Sequence, residues 1–171
     1  MVFPVDAVIT WVDSTDRAWR KRYEEETMSE FTPSLRFTPV NNNSDDELSV
    51  CLELLDENMP WVRNKYIVTA RPQVPSCVTD EIIVHHDELG LGPVFNSHAI
   101  ETVLHKIPNL SEHFIYLNDD FYVLKPLNTM HFFRHHKPLV RLEDISKRPN
   151  DQWKRVLHDT SMKIQAETIQ E

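Results

Sequence analysis

A chain of 171 residues, with 40% hydrophobic and 26% charged side chains, is long enough for one domain with a closed core. Its formal net charge of −9 argues against a general nucleic-acid surface, so no nucleic-acid partner is expected. Gly90 and Gly92 are the only glycines, which excludes both a GxGxxG turn and a Walker loop. No stretch approaches the ~20 apolar residues of a membrane span.

Residues 1–6 lack a basic n-region and reach Asp6 early, so they read as a first strand and not as a signal peptide. "VDAVITWV", residues 5–12, is a β-rich run that stops at Asp13. "DSTD", residues 13–16, offers several helix caps, and residues 17–27 follow as a helix with Trp19 and Tyr23 on one face. Residues 30–46 read as a loop rich in Pro, Asn and Ser. Leu48, Cys51, Leu52 and Leu55 then fall at i, i+3, i+4 and i+7, a buried helical stripe, with Asp45 and Asp46 suited to the helix N-terminus. Cys51 on that stripe is expected as a buried free thiol and not bridged to Cys77. This favours a reducing, cytoplasmic setting, at most peripheral to a membrane.

Residues 65–70 and 81–86 read as further strands. Residues 97–107 read as a helix capped by Ser97, with Ile100, Val103, Leu104 and Ile107 facing inward. Residues 113–118, "HFIYLN", form a fourth strand. Strands alternating with helices predict an α/β domain with a mostly parallel sheet. The core is expected over residues 1–128. Residues 129–171 follow as an extension of the same domain, with a short helix and strand near 131–143 and a helical tail from Asn150.

Ligands of such sheets gather at the carboxyl ends of strands. Two acidic sites fall there: Asp13 after the first strand and Asn118-Asp119-Asp120 after the fourth. The latter suits a hard divalent cation held by carboxylates and substrate oxygens; it equally suits an Asx turn between two strands. Asp13 and Asp16 divide between a nucleotide contact, with Trp11 on the same face as Asp13, and simple helix capping. Arg36 is either a phosphate contact or a surface side chain. His98, Glu101 and His105 can share a helical face, and His98 and His105 are candidates for a general base. His131, His135 and His136 cluster in sequence, but no Cys pair or HExxH spacing supports zinc.

Three ordered blocks resemble the Stealth family: "DAVITWVDSTDRAWRKRY", "DDELSVCLELLDENMPWVRNKYIVTA" and "PVFNSHAIETVLHKIPNLSEHFIYLNDDFYVLKPL", together spanning about residues 5–127. That family comprises bacterial capsular polysaccharide phosphotransferases and the catalytic subunit of N-acetylglucosamine-1-phosphotransferase. The resemblance implies a fold like the A-type glycosyltransferases (GT-A-like, Rossmann-like). It also implies transfer of a sugar 1-phosphate from a nucleotide sugar such as UDP-GlcNAc to a glycan hydroxyl, in capsule or surface polysaccharide synthesis. Asp119 and Asp120 would hold Mg²⁺ or Mn²⁺ on the diphosphate, with Asn118 positioning the donor. Trp11, Val12 and Asp13 would line the nucleotide pocket, and Arg36, Asp46 and Glu47 would face the same site. Asn96, Ser97, His98 and Glu101 would lie near the sugar, His98 and Glu101 as catalytic candidates.

The sequence departs from the family pattern. Ser14 stands where a glycine is usual, and Ser49 and Glu53 replace two arginines of the helix motif. The family's third and fourth conserved regions are not found. A second expectation therefore stands beside the first: a catalytically silent nucleotide-sugar-binding module, or a subunit that needs a partner chain or a second copy.

Overall fold

The computed structural model of the chain describes residues 3–27, 44–92 and 94–140. Strand β1 (Val5–Thr10) is buried along nearly its whole length. A continuous apolar run of this kind marks a central parallel strand covered on both faces. β2 (Lys65–Thr69) and β4 (His113–Asn118) flank it, and β3 (Ile82–His85) lies beyond β2. The four strands are all parallel in the order β3-β2-β1-β4. This is the α/β arrangement that the sequence predicts.

Two helices, α1 (Arg17–Thr27) and α2 (Ser44–Asn58), connect β1 to β2. Asp16 caps α1 through Oδ1, which accepts from Ala18 N at 2.6 Å and Trp19 N at 3.0 Å. Trp19 and Tyr23 stack one turn apart, with ring centroids 5.3 Å from each other. Leu48, Cys51, Leu52 and Leu55 of α2 are buried as their spacing predicts. α2 begins at Ser44, three residues inside the expected loop. Cys51 and Cys77 are both free thiols.

α3 (Ser97–Glu101) is shorter than its periodicity suggests. The chain leaves it at Thr102 and tightens into a 3-10 turn, Leu104–Lys106, which still buries Val103, Leu104 and Ile107. The apolar spacing was met by two short pieces instead of one helix. The cap is Asn96 rather than Ser97: Asn96 Oδ1 accepts from His98 N at 3.0 Å. Val8, Tyr66, Val68 and Val84 pack with Leu104 and Ile107 on this face of the sheet. Strand alternation sends Ala7, Ile9 and Ile67 to the other face. The β1-to-β2 crossover steps toward one edge and the β3-to-β4 crossover returns across the sheet to the other, and right-handedness then puts α2 and α3 on opposite faces.

The chain divides into two compact units, Met1–Asn128 and Thr129–Glu171. In the second, a 3-10 turn (Thr129–His131) precedes a hairpin of β5 (Phe133–Arg134) and β6 (Lys137–Pro138). His135 and His136 form its two-residue turn at φ 51° and 63°, so His131 and His135 do not share a helical face. Most of the loop at 30–46, Arg36 and the helical tail from Asn150 lie outside the described residues.

One polar residue fixes the amino end of the sheet. Asp6 in β1 is fully buried, yet its carboxylate accepts four hydrogen bonds. Arg63 Nε and Nη2 donate at 2.9 and 2.7 Å, Asn64 N at 3.1 Å and Ser111 N at 2.7 Å. Burial alone raises the carboxyl pKa, but the Arg63 and Ser111 hydrogen bonds, with the Arg63 charge, outweigh it and hold it below the ordinary value. Arg63 and Asn64 lead into β2, and Ser111 leads into β4, so one side chain ties both neighbours to β1. Asp6→Asn should lower unfolding free energy by about 3 kcal/mol, since a buried donor is left facing an amide. Because the folded pKa is depressed, the Asp6 contribution is complete above the ordinary carboxylate range and is lost as pH falls through the folded value. Urea unfolding of both proteins between neutral and acid pH checks this; the gap should close in acid.

Candidate functional site

The strand order reverses between β1 and β4, and the carboxyl ends of these two strands lie side by side. In open α/β sheets this is where ligands bind. Thr10, the last residue of β1, is in register with Asn118, the last residue of β4. The two acidic sites that the sequence places after different strands, Asp13 and Asn118-Asp119-Asp120, thus share one edge of the sheet.

Asn118 to Phe121 is a turn, closed by Phe121 N on Asn118 O at 3.1 Å. The turn is real, and 121–124 after it has no sheet partner among the described residues. α2 captures this segment through its backbone. Cys51 Sγ donates to Phe121 O at 3.2 Å, and Asn58 Nδ2 donates to Val123 O at 2.8 Å. Leu127 N donates to Asn58 O at 2.9 Å, and Trp61 Nε1 to Leu127 O at 2.7 Å. Phe121, Tyr122 and Leu124 are left exposed.

Among the described residues the acids of this turn have no Arg or Lys partner. Burial, the Asp120 charge and the Glu47 charge push the Asp119 carboxyl up to about 6. Burial and the two aspartates push the Cys51 thiol up to about 11, so it stays protonated at neutral pH. Glu47 in α2 therefore joins the acidic turn, as does Tyr122, whose phenol is pushed up by burial and then by Glu47 and Asp120. Asp46 is exposed in the first turn of α2. Two adjacent carboxylates with oxygen donors suit a hard divalent cation completed by substrate oxygens. Among the described residues no group of three His, Cys, Asp or Glu side chains is arranged to hold a metal by itself.

On the β1 side, Asp13 is half-buried and its Oδ1 accepts from Thr15 N at 2.7 Å and Thr15 Oγ1 at 2.6 Å. Its backbone is clamped by Gln73, which accepts from Asp13 N at 3.1 Å and donates to Asp13 O at 2.8 Å. Trp11 is buried and Val12 exposed. A cleft of about 120 Å³ opens at the carboxyl end of β2, bounded in part by Ala70, His86 and Phe95. Its two arginines are already engaged: Arg22 donates to the Arg71 carbonyl, and Arg71 pairs with Asp87 at 3.2 Å and with Glu88.

Tyr116 joins α3 to the strand ends. Its phenol lies 3.0 Å from Thr10 Oγ1 and 3.0 Å from Asn118 Oδ1, and burial and then the nearby Glu101 carboxylate push its pKa up. Glu101 also lies 3.7 Å from His98 Nδ1. Asn96 and Ser97 begin the same short helix, both exposed. Asn118, Glu101 and His98 are therefore linked through a tyrosine that sequence reading passed over as part of an apolar strand. Thr10 and Gln73 were also passed over. The available signal was a hydroxyl at a strand's last position and a glutamine between two prolines.

Removing the Asp120 charge should let Asp119 titrate closer to an ordinary carboxyl, although burial keeps it raised. Because the folded pKa is raised, Asp119 disfavours folding above about 6, and the cost is relieved as pH falls toward the ordinary carboxylate value. A carbon-detected NMR titration of wild type and Asp120→Asn checks this; identical curves would show that burial acts alone.

Residues 3–28 match conserved region 1 of the Stealth proteins, and residues 41–140 match conserved region 2. Arg36 falls between the matched segments. A capsular polysaccharide phosphotransferase of Neisseria meningitidis serogroup B is 40% identical over 77% of this chain and 38% of its own length. The capsular polysaccharide phosphotransferase LcbA of Aeromonas hydrophila is 42% identical over 77% of this chain and 39% of its own. An exopolysaccharide phosphotransferase of Streptomyces coelicolor is 42% identical over 77% of this chain and 23% of its own. The chain thus spans well under half the length of these relatives. With both conserved regions matched in order, and one of them covering more than half of its residues, the chain belongs to the Stealth family.

Proposed function

We propose that this chain forms the donor-binding part of a phosphotransferase of capsule or exopolysaccharide synthesis. The reaction is transfer of a sugar 1-phosphate, such as N-acetylglucosamine 1-phosphate from UDP-GlcNAc, to a glycan hydroxyl. The carrying observation is the adjacent pair Asp119 and Asp120 on the β4 turn, beside the end of β1, with Glu47 adding a third negative charge and no Arg or Lys paired with them among the described residues. Charge of this density is costly at a half-buried turn unless a cation is its normal partner. The relatives' names support the reaction class.

In this reading Asp119 and Asp120 hold Mg²⁺ or Mn²⁺. The ion supplies neutralisation of the diphosphate and polarisation of the phosphorus under attack. Val12 and Asp13 would border the nucleotide, with the Asp13 backbone fixed by Gln73. Glu101, beside Tyr116 and 3.7 Å from His98, and His98 itself would be the groups that take up a proton of the acceptor hydroxyl. The reversed strand order, with acids on the turn after β4, supports a GT-A-like assignment of the core over residues 1–128, with 129–171 as its extension.

Ser49 and Glu53 are exposed on α2 where the family pattern has arginines. That observation favours a second reading, in which this chain binds the donor but needs a partner chain or further polypeptide for transfer. Incubating the protein with UDP-GlcNAc, Mn²⁺ and a glycan acceptor should release UMP in the first reading. Metal-dependent UDP-GlcNAc binding without UMP selects the second. Asp120→Ala should weaken metal-dependent donor binding at least tenfold in calorimetry, and unchanged affinity would defeat the metal assignment.

A further inference from the structure

The cleft at the carboxyl ends of β2 and β3 lies beyond the acidic turn, and its lining describes a particular ligand. Ala70, Val94 and Phe95 give it apolar walls. Phe95 is fixed edge-on against the Trp19 and Tyr23 rings of α1, with centroids 5.4 and 5.2 Å away. At the rim two arginines meet two carboxylates: Arg22 donates to the Arg71 carbonyl, and Arg71 pairs with Asp87 and Glu88. An anion would have to compete with those acids for Arg71, so the cleft favours an uncharged ligand. One polar group is left over. His86 is 5% exposed, and its Nδ1 is buried without a hydrogen-bond partner. Burial, helped by the Arg22 and His85 charges and opposed by Asp87, holds the imidazole below its ordinary pKa. At neutral pH the ring is therefore neutral, with one donor and one acceptor nitrogen.

Size and place narrow the ligand further. An apolar cavity of ~150 Å³ takes one benzene ring. At about 120 Å³ this cleft takes one six-membered ring, and a bicyclic ring overfills it. Parallel strands lie about 4.8 Å apart, so β2 ends roughly 10 Å from β4 along the same edge of the sheet. Asp13, after β1, stands between them. Gln73 ties it to the cleft wall: Gln73 N donates to Ala70 O at 2.8 Å while its side chain clamps the Asp13 backbone. A nucleotide with its phosphates at the acidic turn would carry its base past Asp13 to this cleft.

We propose that the cleft seats the base of the donor nucleotide, that its size selects a pyrimidine over a purine, and that Ala70, Phe95 and His86 carry the selection. The inference rests on the donor-binding reading above and adds what chooses the base. A pyrimidine is flat and uncharged. Its faces suit the apolar walls, and its edge of carbonyls and ring nitrogen suits a neutral imidazole of either polarity. A pyranose is puckered and carries hydroxyls around its rim. With Arg71 and Asp87 already paired, most of those hydroxyls would be buried unsatisfied.

The test locates the base and separates it from the phosphates. Uridine, adenosine and methyl glucoside are titrated into the ¹⁵N-labelled full chain. Uridine should shift the amides of Ala70, His86 and Phe95 most, and adenosine should bind about tenfold more weakly. UDP and inorganic pyrophosphate, each at saturating Mn²⁺, are titrated by calorimetry, with folding of every variant checked by circular dichroism. Ala70→Leu, which fills the cleft, and Phe95→Leu, which removes the ring, should each weaken UDP about tenfold and leave pyrophosphate within about twofold. His86→Leu should weaken UDP by about threefold, and His86→Gln, which keeps a polar edge, should recover most of it. Full UDP affinity in folded Ala70→Leu, equal binding of adenosine, or uridine shifts confined to other amides would overturn the proposal. Cleft shifts with methyl glucoside but not with uridine would make this a sugar site and overturn it too. Pyrophosphate binding with no response to uridine removes this inference and leaves the metal turn standing. If neither pyrophosphate nor UDP binds with Mn²⁺, the donor-binding reading itself fails and takes this inference with it.

Discussion

The architecture depends on a charge that has been removed from water and then satisfied. Asp6 lies inside the central strand, where an isolated carboxylate would be prohibitive, and four donors from two loops meet it there. Those loops are the entries to β2 and β4. Because a parallel strand has no tight hairpin to set its register, a side chain that captures both neighbours at the amino edge does that work. The consequence appears at the other end of the strands. With Val5 opposite His113, Thr10 falls opposite Asn118, and the candidate site is assembled from residues more than a hundred positions apart.

The opposite edge carries the reverse electrostatic condition. Among the described residues Asp119 and Asp120 have no Arg or Lys to match what Arg63 is to Asp6, and Asp119 is pushed up where Asp6 is held down. Similar carboxyl groups in one sheet thus meet opposite conditions, satisfied at the amino edge and pushed up by burial and like charge at the carboxyl edge. The acidic turn is kept in place by neutral means. Cys51 and Asn58 of α2 hold the backbone that follows it, so its geometry does not rely on neutralising its charge. Such a turn stays in place while it carries its charge, as the proposed cation site requires.

Much of this was readable in the sequence. The four strands, the span of α1 and the buried stripe of α2 follow from period and capping alone. The acids at two strand ends stood out because polar residues interrupt apolar runs there. Other features escaped for physical reasons. The spacing of Ile100, Val103, Leu104 and Ile107 fits one helix, but it fits a short helix and a 3-10 turn as well, since both bury the same positions. Asn96 took the cap from Ser97 because either side chain can accept from the first turn. Residues 121–124 look like a strand, yet among the described residues no edge pairs with them, and α2 takes the Phe121 and Val123 carbonyls instead. Tyr116 and Gln73 gave little warning, since a tyrosine in a strand and a glutamine in a loop acquire a role only through what lies opposite.

By itself, the sequence determined the α/β class, the acids at strand ends and the family, because these rest on local period, on the cost of placing charge beside apolar runs, and on ordered motifs. It could not determine strand order, since apolar strands of one period pair equally well in several arrangements. Only the tertiary structure put β1 against β4 and so brought Asp13, Thr10 and the Asn118-Asp119-Asp120 turn to one edge. It alone set Tyr116 and Asn118 beside Thr10, because that meeting depends on strand register and not on proximity in the chain.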